Sequence, residues 1–392
     1  MQAIVNTKLV LEDGIVWDGV LLHENGRIVA LGSAEDVSVP SNAETLDAQG
    51  LYTAPGLIDI HNHGSPDDLF CDEPLRCAEY FLPHGVTTVL PTFYCDLSLE
   101  RMLAGAEKIR AASQSGAGRI MDGLYMEGPY MNGTGSNAKY IQWLGAIDPA
   151  EYTPLLDGLG DLARVWAIDP AREGITGFMQ EVRKRNPAAI FALGHSRATA
   201  EQCRAVYPYG VRVQTHHSNS GKAPGRRQGK AGGAGCDEFA LYTPDIYTEL
   251  ICDQNGIHVA PARIRMVVRT KGVERVILIT DAMASREKYA NNAEEGVWYG
   301  PDLNYDYRGY VSGSRMTLEN ACRNLMTHTG YGLCHAVRMA SLNPARLLGL
   351  DGEVGSLEVG KRADLILTDD ALHVKKVFLR GELAAESGRL TL

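Results

Sequence analysis

Gly56-Leu57-Ile58-Asp59-Ile60-His61-Asn62-His63-Gly64 sets two histidines one residue apart at the end of an apolar run. Side chains two apart on a strand share a face, so His61 and His63 converge. Convergent imidazoles at the end of a buried strand suit a metal ion. A His-x-His pair also arises by chance, and most histidines are surface or satisfied core residues, so the rest of the chain must decide.

Seven further β-type apolar runs follow, with helical or loop-rich stretches between most of them: VTTVLPTF (86–93), IMDGLYM (120–126), ARVWAID (163–169), AIFALG (189–194), VRVQT (211–215), IYTELIC (246–252) and RVILIT (275–280). With GLIDI (56–60) they make eight. Continuous apolar strands alternating with helices are what a parallel sheet covered on its outer face requires, and eight strands close a barrel. The expectation is an α/β chain built on a (β/α)8 TIM-like barrel. An open doubly wound sheet shares the alternation, but no GxGxxG or Walker-type loop follows any of the runs.

The two ends of the chain differ from this middle. Short β-rich runs alternate with turns in residues 1–50, where Glu12-Asp13-Gly14 and Glu24-Asn25-Gly26 are hairpin signals. GSLEVGKRADLILTDD, HVKKVFLRGELA and SGRLTL repeat the style at the C-terminus. These ends are expected to form one small β-sandwich domain from residues 1–54 and 355–392, around a barrel domain of 55–354.

The 392 residues are 45% hydrophobic and 22% charged, ordinary globular composition with ample material for a core. A formal charge of −10 argues against wholesale binding to nucleic acid or an anionic membrane, both of which need a basic face. Eight dispersed cysteines without a CxxC pair fit reduced thiols in the cytoplasm. The N-terminal MQAIVNTKLVLEDG lacks a signal-peptide core, and no apolar run approaches the ~18–20 residues of a membrane span. A cytosolic protein is expected.

Barrel enzymes place their chemistry at the C-terminal ends of the strands. Those ends hold His61 and His63 after the first run, Glu127 after the third, His195 after the fifth, His216 after the sixth and Asp281 after the eighth. Each alone has a bland reading, as a helix cap or a partner of a backbone amide. Jointly they match a catalytic site for Zn²⁺ or a similar divalent ion, which keeps one position open for a water made acidic by the metal. A carboxylate beside that water can take its proton and return it to the leaving group, the role expected of Asp281.

The pieces APGLIDIHNHG, HGVTTVLPT, MEGPYMN, LGHSRAT, THHSN, GIHVAP, LITDAMA, VSGSRMTLENACRNL, MASLNPARLLGL and GSLEVGKRADLIL span most of the chain. Together they resemble the amidohydrolase superfamily and, within it, the N-acetylglucosamine-6-phosphate deacetylases. The resemblance implies metal-dependent hydrolysis of the acetamide of an N-acetyl amino sugar 6-phosphate, N-acetylglucosamine-6-phosphate first, in amino sugar catabolism. It implies Glu127, His195 and His216 as principal metal ligands, Asp281 as catalytic acid and base, and a second metal at His61 and His63. Zinc is the first choice of metal, with iron, manganese, cobalt and nickel as alternatives. It also implies a homodimer whose basic segment reaches the neighbouring subunit's site.

For phosphate, the resemblance carries over to Asn219, Arg227 and His258. KAPGRRQGK (222–230) supports this independently, with two lysines, two arginines and no acidic residue inside an acidic chain. Arginine forks grip phosphate oxygens, though basic runs are also common as solvated loops. Two departures touch the place where substrate is read. Twelve residues past Glu127, where the family has a substrate-contacting histidine, this chain has Lys139; after Asn219, where Ala-Met is common, it continues Ser220-Gly221. The galactosamine epimer and another small amide therefore remain alternative substrates, and a non-catalytic barrel scaffold is the alternative outside enzymes. Glu127 in place of a lysine on the third strand disfavours hydantoinase-like and dihydroorotase-like sites.

Overall fold

The computed structural model describes residues 1–132, 142–219, 232–284, 300–305 and 311–392. Eight parallel strands form the central sheet: β1 (Leu57–Asn62), β2 (Val86–Tyr94), β3 (Leu124–Glu127), β4 (Ala163–Ile168), β5 (Ile190–Leu193), β6 (Val211–Gln214), β7 (Tyr247–Ile251) and β8 (Val276–Ile279). Each pairs with its sequence neighbour. A parallel bridge between Asn62 and Ala282 brings the end of β8 back against β1. The expected (β/α)8 barrel is therefore the fold, and all eight apolar runs are its strands.

Burial explains why these runs are apolar on both faces. In β3, Tyr125 joins Val165, Ala167, Ala192, Val213, Ile277 and Ile279 in the barrel interior. Its neighbours Leu124 and Met126 join the cluster shared with the surrounding helices. The helix Leu99–Ala112 shows how the outer ring is specified: Ser98 caps it by accepting the Arg101 N–H, and Met102, Ala106 and Ile109 are buried at helical spacing. Gly105 lets the helix sit close, because a Cβ there would come 2.9 Å from Phe93 Cζ on β2. Phe93 is fully buried, and truncating such a ring to Ala costs about 3–5 kcal/mol.

The termini build one nine-stranded sheet in which Tyr52–Pro55 pairs antiparallel with Leu365–Thr368, joining the N-terminal strands to the C-terminal ones. Its two-residue turns Asn25-Gly26, Arg380-Gly381 and Ser387-Gly388 each have both residues at positive φ, the geometry that matches the twist of a hairpin. The sheet folds over on itself: Ile28 N–H donates to Lys361 O at 2.9 Å and Ala363 N–H to Gly26 O at 2.8 Å. Ile4, Leu9, Leu21, Ile28, Leu365, Leu367 and Phe378 fill the enclosed core.

None of the eight cysteines forms a disulfide. Among the described residues, no helix is long and apolar enough to cross a membrane.

Candidate metal centre

The strand ends deliver six side chains to one place. His61 lies on β1 and His63 just past it; Glu127 ends β3; His195, His216 and Asp281 each stand two residues beyond β5, β6 and β8. Glu127 is the hub. Its Oε1 lies 2.8 Å from His195 Nε2 and 3.0 Å from His216 Nε2, and its Oε2 lies 3.2 Å from His63 Nε2. Asp281 Oδ1 stands 3.2 Å from His63 Nε2 and 3.6 Å from His61 Nε2.

The backbone is bent to achieve this. His195, His216 and Asp281 all take positive φ, at 46°, 23° and 48°. Non-glycine residues there cost on the order of 1–3 kcal/mol each and cluster at working sites. Main-chain bonds over-determine the strained positions: Asn132 N–H donates to His195 O at 3.0 Å, and Asp281 N–H to His61 O at 2.9 Å. In β1, the register with β2 is irregular between Asp59 and Asn62, where the histidine pair begins.

A buried polar tie sets the β1 end against the β8 end. Asp59 accepts the Thr280 hydroxyl at 2.6 Å and the Asn62 amide at 3.0 Å, while Asn62 Oδ1 accepts the Gly64 N–H at 3.0 Å. Burial raises the Asp59 carboxyl to about 6 against the pull of the Thr280 and Asn62 donors. Tyr94, at the end of β2, packs its ring 6.1 Å from His63 and 5.8 Å from His195.

The electrostatics are those of carboxylates requiring positive charge in a dry place. Burial pushes the Glu127 carboxyl upward, yet His195 and His61 hold it well below the usual range. Burial opposes charge on His63, but the bonds to Asp281 and Glu127 lift it to about 9. His216 is raised for the same reason, through Glu127. Here the carboxylates draw protons onto imidazoles; a divalent cation would satisfy the same oxygens and use the imidazole lone pairs.

The donor set fits such a cation. His61, His63 and Asp281 offer ligand atoms within 4.8 Å of one another, and so do His61, Glu127 and His216. His61 Nε2 is buried without a hydrogen-bond partner, aimed between Glu127 and Asp281. An orphaned buried nitrogen flanked by two carboxylates is what a metal would resolve.

Of the residues expected to read substrate, Asn219 is exposed on the turn after His216, its N–H donating to His216 O at 3.1 Å. His258 is buried, with Nδ1 3.2 Å from Asp253 Oδ1 and Nε2 3.1 Å from Gly313 O. Lys139, Ser220 and Arg227 lie outside the described residues. Sequence reasoning passed over Glu249, Asp59 and Tyr94. Glu249 and Asp59 did leave a signal, as single carboxylates inside the apolar runs IYTELIC and GLIDI.

The amidohydrolase family matches residues 52–384. The N-acetylgalactosamine-6-phosphate deacetylase of Escherichia coli O157:H7 is 32% identical, with 96% of this chain and 98% of that protein covered. The crystal structure of N-acetylglucosamine-6-phosphate deacetylase from Pasteurella multocida, 26% identical, superposes with a TM-score of 0.85 over 98% of this chain and all of that one. A mutant of the Mycobacterium smegmatis N-acetyl-D-glucosamine-6-phosphate deacetylase, in complex with N-acetyl-D-glucosamine-6-phosphate, is 27% identical with a TM-score of 0.80, covering 97% of this chain and 98% of that one. By sequence along most of its length and by the fold that carries the six converging side chains, this chain belongs to the amidohydrolase family.

Proposed function

We propose that this protein is a metal-dependent deacetylase of an N-acetyl amino sugar 6-phosphate, with N-acetylglucosamine-6-phosphate as first substrate. The observation that carries the reading is the convergence of His61, His63, His195 and His216 on Glu127 at the C-terminal mouth of the barrel, with Asp281 beside His61 and His63. The likeness to deacetylases in both sequence and structure supports it. Glu127, His195 and His216 would hold the principal metal, zinc first, and His61 and His63 a second ion. When bound, the metal polarises the acetamide carbonyl and makes water acidic enough to attack near neutral pH.

The chain's own residues do the rest. Asp281, at the site's edge with Oδ1 facing His63, takes the attacking water's proton and passes it to the sugar nitrogen as the C–N bond breaks. Acetate and an amino sugar phosphate leave. Arg227 and Asn219 hold the phosphate; His258 joins them by exchanging its bond to the Gly313 carbonyl. Lys139 and Ser220 complete the substrate face where the family pattern is altered. The protein works as a cytoplasmic homodimer.

The galactosamine epimer is the second reading, favoured by the relative of that name at 32% identity. A scaffold without activity has no use for the full set of six side chains, three of them held in strained backbone. Acetate release from N-acetyl amino sugars with and without a 6-phosphate tests the proposal directly.

A further inference from the structure

Glu249 sits in the middle of β7 and is fully buried, on a strand that supplies none of the six converging side chains. A carboxylate in that position is costly unless its oxygens are used. One oxygen, Oε2, is used twice: it lies 3.1 Å from His61 Nδ1 and accepts the backbone N–H of His216, also at 3.1 Å. The main chain of the same residue accepts the His217 N–H at 2.8 Å. Glu249 therefore touches both an imidazole shared by the two candidate metal groups and the strained backbone of a second candidate ligand.

We infer that Glu249 is a positioning residue that sets the ring of His61 and the turn of His216 for metal binding. A carboxylate only accepts, so the proton between it and His61 resides on Nδ1. Nε2, the buried nitrogen without a hydrogen-bond partner, would then offer its lone pair to a metal held beside Glu127 and Asp281. The His216 N–H is held by the same oxygen, so the left-handed conformation that aims this ring at Glu127 is fixed from the next strand. Outer partners of this kind typically change metal affinity 10–100-fold when removed. The inference rests on reading the cluster as a metal centre.

Cobalt(II) titration of metal-free protein, followed by its visible absorption and by competition with a chelator, tests it. Glu249→Gln keeps an oxygen that can accept both bonds and loses only the charge, whereas Glu249→Leu keeps the bulk and loses both. The expected result is a graded loss of cobalt affinity, about 10–100-fold for the leucine variant and less for the glutamine variant, with altered absorption bands in the leucine variant. Melting temperatures of the metal-free proteins separate this from simple loss of structure, because a merely structural Glu249 would lower them and leave cobalt affinity per folded molecule unchanged. Equal affinity in parent and both variants overturns the inference alone. A parent that takes up no cobalt removes the reading of the metal centre, and this inference with it.

Discussion

His195 Nε2 approaches Glu127 Oε1 to 2.8 Å across the mouth of the barrel, from the end of β5 to the end of β3. Two residues 68 positions apart meet only because parallel strands bring all their C-terminal ends to one face. The distance is a hydrogen bond as it stands, and both atoms are of the kind that binds a divalent cation.

Replacing His195 by Ala tests its proposed role as a donor to the principal metal. The variant should retain the fold, lose most of its tightly bound metal in elemental analysis, and lose turnover in proportion. Full metal stoichiometry with parental activity would reject His195 as a ligand.

Asp281→Asn keeps the shape of the side chain and removes its capacity to take a proton. We expect metal to be retained while kcat falls by roughly 10²–10⁴. A variant that loses its metal instead would make Asp281 chiefly a ligand, and a near-normal kcat would dismiss the acid and base role.

Arg227→Ala tests recognition of the anionic end of the substrate. Loss of one charge-assisted contact should cost about 1.5–3 kcal/mol, roughly 10–150-fold in kcat/KM, on the 6-phosphorylated sugar only. The unphosphorylated sugar is the control. Equal losses on both would show that Arg227 does not read the phosphate.

Asp369 offers a check on the sheet built from both termini. It sits in the turn between the strands Leu365–Thr368 and Val374–Leu379, accepting the His373 N–H at 2.8 Å, with Lys375 Nζ at 3.2 Å. Burial works against its charge, but the His373 and Lys375 donors bring the carboxyl down from 3.8 to about 2. A depressed folded-state value means stabilisation that is present above the unfolded value and lost as pH falls through the folded one. Asp369→Ala should therefore be less stable than the parent by about 1 kcal/mol near neutral pH, the side chain being partly exposed. The gap should shrink as pH falls from about 4 toward 2. Denaturant unfolding across that range measures it, and a gap independent of pH would contradict the account.

The barrel could be read from the sequence because its strands are buried on both faces and so appear as eight apolar runs, each confirmed in place. The metal-centre candidates could be read because polar side chains immediately after such runs stand out. Glu249 and Asp59 were harder, since their partners come from distant strands: His61 lies 188 positions from Glu249, and Thr280 lies 221 from Asp59. A single carboxylate within an apolar run marks a buried partner without identifying it. The pairing of Tyr52–Pro55 with Leu365–Thr368 was foreseeable only as a shared β-rich style, because register between chain ends is written in tertiary contacts. His258 was assigned to phosphate by the resemblance alone, and its internal bonds to Asp253 and the Gly313 carbonyl come from residues that no local motif identifies.

The proposed reaction is a metal-dependent deacetylation that depends on phosphate. Its most direct measurement is acetate released from N-acetylglucosamine and N-acetylgalactosamine, each with and without the 6-phosphate, before and after removal of metal by a chelator and its restoration with zinc. The account predicts acetate from the 6-phosphorylated sugars, N-acetylglucosamine-6-phosphate first, abolished by the chelator and restored by zinc. Undiminished release after complete metal removal, or no release from any 6-phosphorylated sugar by the zinc-loaded protein, would contradict it.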